Sequence, residues 1–192
     1  MVTAVIIAVL LIIAVVLAVK FDLFVSPQRR AGRRGEKAAA DLIKTVLREG
    51  DHHFTNVQFS YDKRRAELDN VIVNQYGVFI IEVKNYDGRL VGSADDFEWQ
   101  KYHTTGAGNV YVKTVKNPIR QVKRQVYLLA RHLESHGTRV WVNGYALLLR
   151  GNSHVADETI LTGVRDIDRA IHTPGKNKLS QSTVSAIVKL LS

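Results

Sequence analysis

The sequence predicts an α/β domain preceded by one transmembrane helix. Three observations carry that expectation: an uncharged apolar run at the start, a block of β-rich segments in the middle, and amphipathic helical stretches on either side of that block. Setting the apolar start aside leaves roughly 160 residues, one ordinary domain with enough chain to bury a core. The chain has no cysteine, so disulfides and thiolate metal sites are excluded and a structural zinc would need several histidines together. That composition fits folding in a reducing compartment. Lys and Arg number 27 against 18 Asp and Glu, and the resulting formal charge of +9 favours phosphates, whether of nucleic acid or of anionic lipid.

Residues 2–19 (VTAVIIAVLLIIAVVLAV) carry no charge, and Thr3 is their one polar side chain. As a helix they span about 27 Å, just enough to cross a bilayer core. Nothing basic precedes the run, so it reads as an uncleaved anchor and not as a signal peptide. Lys20, Arg29, Arg30, Arg33 and Arg34 follow with little opposing acid. The positive-inside bias then puts the rest of the chain in the cytoplasm, and the same cluster suits contact with lipid. The expected organisation is an anchor over residues 1–20, a basic juxtamembrane linker over 21–31 and a folded domain over 32–192.

Within that domain, Ala39, Leu42, Ile43, Val46 and Leu47 recur at helical spacing, with Gly50 as a stop and Glu36 one turn ahead of Ala39. Segments 53–60, 67–73, 78–84, 89–92, 97–102 and 110–113 are rich in β-branched and aromatic residues and read as a largely antiparallel meander. Asn117 as cap and Pro118 at the first helical position open a helix that runs to Gly137. Its apolar stripe is Ile119, Val122, Val126, Leu129 and Leu133, and its other faces carry Arg120, Lys123, Arg124 and Arg131. Residues 140–149 suit a buried strand; a weaker strand near Ile160 and a helix from about Leu179 to Leu191 follow.

Chemistry concentrates in residues 67–84, ELDNVIVNQYGVFIIEVK. Two β-rich runs flank Asn74-Gln75-Tyr76-Gly77, a four-residue hairpin loop. If Val73 pairs with Val78, Asp69 falls opposite Glu82, and alternation puts Glu82 and Lys84 on the face shared by Asp69. Carboxylates opposed on paired strands repel, so a cation between them is implied. Oxygen ligands of this kind suit Mg²⁺ or Mn²⁺. An amine two residues further along could orient the attacking water or stabilise charge on a phosphate. The same E-x-K triplet also fits a solvated ion pair.

An ordered series of residues resembles the nuclease-related domain (NERD) family, within the PD-(D/E)xK restriction-endonuclease-like superfamily. The series is Gly35-Glu36, Leu68-Asp69, the strand Gly77-Val78-Phe79-Ile80-Ile81-Glu82-Val83-Lys84, Gly88, Trp99, and Asn117-Pro118 with Gln121. Leu68 stands where the superfamily's name has proline, a position without chemistry. The resemblance covers roughly residues 32–150 and implies a mixed sheet flanked by helices with a divalent-metal nuclease site. It implies Asp69 and Glu82 as metal ligands with the Val83 carbonyl as a third, and Lys84 as the catalytic lysine. Glu36 would be an accessory carboxylate and Gln121 would face the site from its helix.

Lys123 and Arg124 are the residues expected to meet nucleic-acid phosphates. The function expected is phosphodiester hydrolysis of DNA or RNA at the inner face of a membrane. The alternative, of a different class, is a noncatalytic membrane-anchored scaffold for nucleic acid or lipid. His132 and His136 stand four apart but lack an evident third zinc ligand, and HTTGAGN lacks the lysine and helix start of a phosphate loop. Trp99, Tyr102, Tyr111 and Trp141 fit core strands better than base stacking.

Overall fold

The computed structural model describes residues 27–150, 153, 155–175 and 178–192, together with residues 6, 7, 9–13 and 16 of the apolar start. Those eight are helical and exposed, and most of the expected anchor and linker lies outside the described residues. Among the described residues no helix is long and apolar enough to cross a membrane. The chain divides into two compact units, residues 1–34 and 35–192.

The larger unit is a mixed α/β fold. Helix α1 (Pro27–Lys44) begins inside the segment expected to be a linker and stops short of Gly50, which sits in the following turn at φ +86°. Strands β1 (His52–Tyr61), β2 (Arg64–Asn74) and β3 (Gly77–Lys84) form an antiparallel meander. Val73 pairs with Val78 as the hairpin count supposes, but the ladder runs one rung further, to Asn74 and Gly77. The turn is therefore the two residues Gln75 and Tyr76, not four.

The meander ends there. Strands β4 (Arg89–Val91), β5 (Glu98–Thr104) and β6 (Val110–Lys116) form a separate three-stranded antiparallel sheet. Helix α2 (Pro118–Ser135) then returns the chain, so that β7 (Val142–Leu148) lies parallel to β3 and β8 (Ile160–Leu161) parallel to β7. The main sheet has the order β1-β2-β3-β7-β8. Helix α2 starts as its sequence dictates: Asn117 accepts the Ile119 N–H on its side chain at 2.9 Å and Pro118 opens the first turn. Helices α3 (Val164–His172) and α4 (Gln181–Leu191) complete the domain.

Both faces of the sheet are covered, which explains why β3 is an unbroken apolar run and not an alternating one. On one face Val71, Val73, Val78 and Ile80 pack with Leu129 and Leu133 of α2 and Val184 and Ile187 of α4. On the other, Ile72, Phe79, Ile81 and Val83 pack with Ala39 and Ile43 of α1 and Ile167 and Ile171 of α3. Gly144 lets α2 approach β7 closely, since a Cβ there would meet Val122 Cγ1 and Val126 Cγ2 at 2.4 Å. Beneath the smaller sheet, Trp99 and Leu90 pack with Ile119 and Leu148. Trp99 is thus core, but Trp141 is 81% exposed and Tyr111 is exposed as well, contrary to the expectation from their strand-like surroundings.

Strand β1 is irregular at one place. Thr55 pairs with Asn70 and Val57 with Leu68, while Asn56 between them turns to φ 54°, a conformation asparagine tolerates. Asp69 is the residue facing that interruption. Leu68 and Val71, three positions apart, consequently enter the same core, which strict alternation would forbid.

Candidate active site

Alternation along β3 carries Glu82 and Lys84 onto the face that supplies Val78 and Ile80 to the core under α2. Glu82 extends that apolar stripe and is only 4% exposed, so its charge must be met by protein groups. Three donors meet it. Lys84 Nζ and Gln121 Nε2 each lie 2.5 Å from Oε1, and Gln125 Nε2 lies 2.6 Å from Oε2. The two glutamines are one helical turn apart on α2, which aims both at the same carboxylate. A carboxylate offers about four lone-pair sites. Three are occupied, and one remains for a further partner.

Gln125 escaped the sequence analysis, although its i+4 relation to Gln121 was a usable signal. Its Nε2 also donates to the Glu67 carbonyl at 3.2 Å, while its Oε1 is buried with no hydrogen-bond partner. Buried orphan acceptors are uncommon and costly, and this one sits beside the most buried acid of the site.

Asp69 reaches the same place from β2. The paired register of β2 and β3 ends at Asn70 and Ile81, and continued by one rung it sets Asp69 against Glu82. In place of a further backbone rung, Asp69 Oδ2 accepts the Val83 N–H at 2.7 Å. The N–H and C=O of one residue in an extended strand point to the same side, so the Val83 carbonyl also lies toward Asp69. Burial raises the Asp69 carboxyl and the Glu82 charge raises it further. The Val83 N–H and Lys84 pull it back, Glu36 adds a smaller push upward, and the result stands at about 7. For Lys84, burial works to lower the ammonium, but the charge and hydrogen bond of Glu82, with Tyr86 and Asp69, outweigh it and the net direction is up. At neutral pH Lys84 is therefore a cation.

Glu36 lies on α1, near enough for its charge to act on Asp69, and half-buried. Gly35 before it makes that approach possible: a Cβ at Gly35 would meet Asn85 Cβ at 2.7 Å, immediately beyond Lys84. Lys123 and Arg124 are exposed on α2, and Arg124 lines one cleft together with Gln121. Among the described residues no three His, Asp or Glu side chains gather closely enough to hold a metal ion. A cation here would rest on Asp69, Glu82 and the Val83 carbonyl and complete its shell with water. That donor set is all oxygen, as Mg²⁺ and Mn²⁺ require, and Mg²⁺ commonly keeps several waters. Burial lifts Asp69 most and the Glu82 charge adds to it; a cation would relieve that repulsion.

A five-stranded mixed sheet, covered on both faces and bearing a buried Glu82, a half-buried Asp69 and Lys84 on the β2–β3 hairpin, defines an α/β domain with an acidic site. Residues 31–149 match the family model of the nuclease-related domain, and the chain belongs to that family. No curated protein and no solved structure matches it.

Proposed function

We propose that this chain is a divalent-metal-dependent nuclease that hydrolyses phosphodiester bonds of DNA or RNA. The observation that carries the proposal is the meeting of Asp69, Glu82 and Lys84 on adjacent antiparallel strands, within a family whose description is nuclease-related. The mixed sheet supports a restriction-endonuclease-like reading of the fold. A Mg²⁺ or Mn²⁺ ion on Asp69, Glu82 and the Val83 carbonyl would supply Lewis-acid activation of water and of the phosphate. Hydrolysis forms one P–O bond to water and breaks one to a sugar oxygen, with negative charge growing on the phosphoryl oxygens between. Lys84, held as an ammonium by Glu82, opposes that charge as an electrostatic stabiliser. Gln121 and Gln125 fix the Glu82 carboxylate, and Glu36 adds negative potential at Asp69. Lys123 and Arg124 meet phosphates of the substrate from the exposed face of α2.

The uncharged run 2–19 supports a membrane anchor, with the basic residues after it favouring a cytoplasmic domain. The scaffold alternative draws on one observation: Glu82 is already matched by three protein donors, which is also how an inactive, self-satisfied site would look. One experiment separates the two. The purified full chain is incubated with mixed nucleic acids and Mg²⁺ or Mn²⁺, beside Glu82→Ala. Metal-dependent cleavage that Glu82→Ala abolishes supports the nuclease; nucleic-acid binding with no cleavage in either protein supports the scaffold.

A further inference from the structure

Phe97 is 78% exposed, the second most exposed large apolar side chain among the described residues after Trp141. It is not loose. Its segment, between β4 and β5, is fastened by Asn117, whose Nδ2 lies within hydrogen-bond distance of the carbonyls of Ser93 (3.2 Å), Ala94 (3.1 Å) and Asp96 (2.7 Å). Trp99 Nε1 donates to the Ser93 carbonyl at 2.7 Å, the Ser93 N–H donates to Asp96 Oδ2 at 2.7 Å, and the Asn117 N–H reaches the Phe97 carbonyl at 3.3 Å. The Arg120 guanidinium stands 3.9 Å from the centroid of the Phe97 ring and so holds one face of it. The loop is thus fastened while the ring stands in solvent, with Arg120 against one face and the rest of the ring open to a ligand.

The surroundings identify what the ring contacts. Phe97 opens a cleft of about 730 Å³ whose cations are Lys116, Arg120 and Arg124, against one carboxylate, Glu98. Gln121 lines the same cleft and donates to Glu82 at 2.5 Å, so a single side chain links the cleft wall to the carboxylate site. An aromatic face backed by a guanidinium, ringed by cations and a single side chain away from the reacting centre, matches the two needs of an unpaired nucleotide. The base stacks and the phosphates are neutralised. A paired base inside a duplex has no free face to offer.

We propose that Phe97, backed by Arg120, is a stacking platform for an unpaired nucleobase next to the site of hydrolysis. The substrate is thus single-stranded nucleic acid or an unpaired end. The inference takes its substrate from the nuclease reading, but its test is one of binding. Oligothymidylate and oligouridylate carrying one 2-aminopurine, and a blunt duplex carrying the same base, are titrated with the full chain in EDTA. Stacking on Phe97 quenches 2-aminopurine in the single strand; Phe97→Ala removes the quench and Phe97→Trp restores it. Phe97→Ala also weakens single-strand affinity about 10-fold, the loss expected for one base–aromatic stack, and leaves duplex affinity and the salt dependence of binding in place. The polymer that is quenched, DNA or RNA, names the source. Absence of quenching with the parent chain, unchanged single-strand affinity in Phe97→Ala, equal loss on duplex, or failure of Phe97→Trp to restore the signal overturns the proposal. Because no metal is present, quenching that persists while the strands stay intact in Mn²⁺ would count against the nuclease and not against the platform.

Discussion

The Asp69 carboxylate accepts the Val83 backbone N–H at 2.7 Å, just beyond the point where the paired ladder of β2 and β3 stops. A side chain has taken the place of a backbone rung, and this draws an acid from one strand against the chain segment that carries Glu82 and Lys84 on the other. The cost of holding it there is visible in its titration.

Asp69 has a folded pKa of about 7 against an ordinary 3.8. A raised carboxyl favours its protonated form in the fold. Its contribution to stability is complete below the ordinary value and is lost as pH rises through about 7. Asn resembles the protonated acid and still offers an oxygen to the Val83 N–H. In EDTA, the parent chain should therefore lose more stability than Asp69→Asn between pH 5 and pH 8. A pKa unit corresponds to about 1.4 kcal/mol, so the gap should reach at least ~2 °C in Tm. Mn²⁺ should close it by stabilising the parent alone. Parallel pH profiles of Tm for the two proteins would show that Asp69 is not under this strain.

Much of this geometry was legible in the sequence, and for a definite reason. The turn-forming residues between Val73 and Val78 mark a hairpin, and a hairpin turn fixes the register of its two strands. The register placed Asp69 near Glu82. The division into two sheets was not legible, because nothing local in β3 says that its second neighbour is β7, about sixty residues on, and not β4. Helix α3 was missed for a different reason: its cap, Gly163, makes no side-chain cap hydrogen bond, and its nine residues bury only Ile167, Ile171 and His172. Its anchoring is tertiary, with His172 set between Asp51 at 2.8 Å and Asp168 at 2.7 Å. Gln125 stands one turn after Gln121, but that the two share a carboxylate becomes visible only once the fold brings Glu82 against α2.

Gln125 leads to a prediction in which two effects oppose each other. Gln125→Leu removes a charge-assisted hydrogen bond to Glu82, worth about 1.5–3 kcal/mol, but also removes a buried orphan acceptor whose burial costs about 1–3 kcal/mol. Urea denaturation should place the variant within ~1 kcal/mol of the parent. Cleavage should nevertheless fall, because Glu82 loses the donor that fixes Oε2. A well-folded variant with parental turnover would remove Gln125 from the site.

Gly35 tests the seating of α1. In an exposed helix, Gly→Ala adds up to about 1 kcal/mol of stability through backbone entropy. Here the new Cβ would lie 2.7 Å from Asn85 Cβ, and neither atom is the far end of a flexible chain. Overpacking typically costs about 1–3 kcal/mol and should win. Gly35→Ala should be destabilised in urea, and Gly35→Leu more so, with activity falling in step as Glu36 and Asn85 shift. Stabilisation by alanine would mean that α1 can move away from the site without consequence.

Charge and chemistry should separate when the exposed face of α2 is compared with Lys84. Lys123 and Arg124 are exposed and neither is among the three donors to Glu82, so their effect on a reaction should run through phosphate contacts. Such contacts release counterions, with about 0.7–0.9 units of log–log salt slope per phosphate. Replacing both with Ala should weaken nucleic-acid binding at low salt and flatten its salt dependence by up to about two units. Lys84 is half-buried and paired with Glu82, and it adds little to a chain of net charge +9. Lys84→Ala should leave most of the affinity in place and abolish cleavage, since it removes an interaction that matters as charge develops on the phosphate. Glu82→Gln should lose metal and activity together while binding nucleic acid slightly better, because a negative charge near the phosphates is gone. Should Lys84→Ala cleave at the parental rate in a preparation free of contaminating nuclease, the proposed mechanism is wrong and the scaffold becomes the better account of the fold.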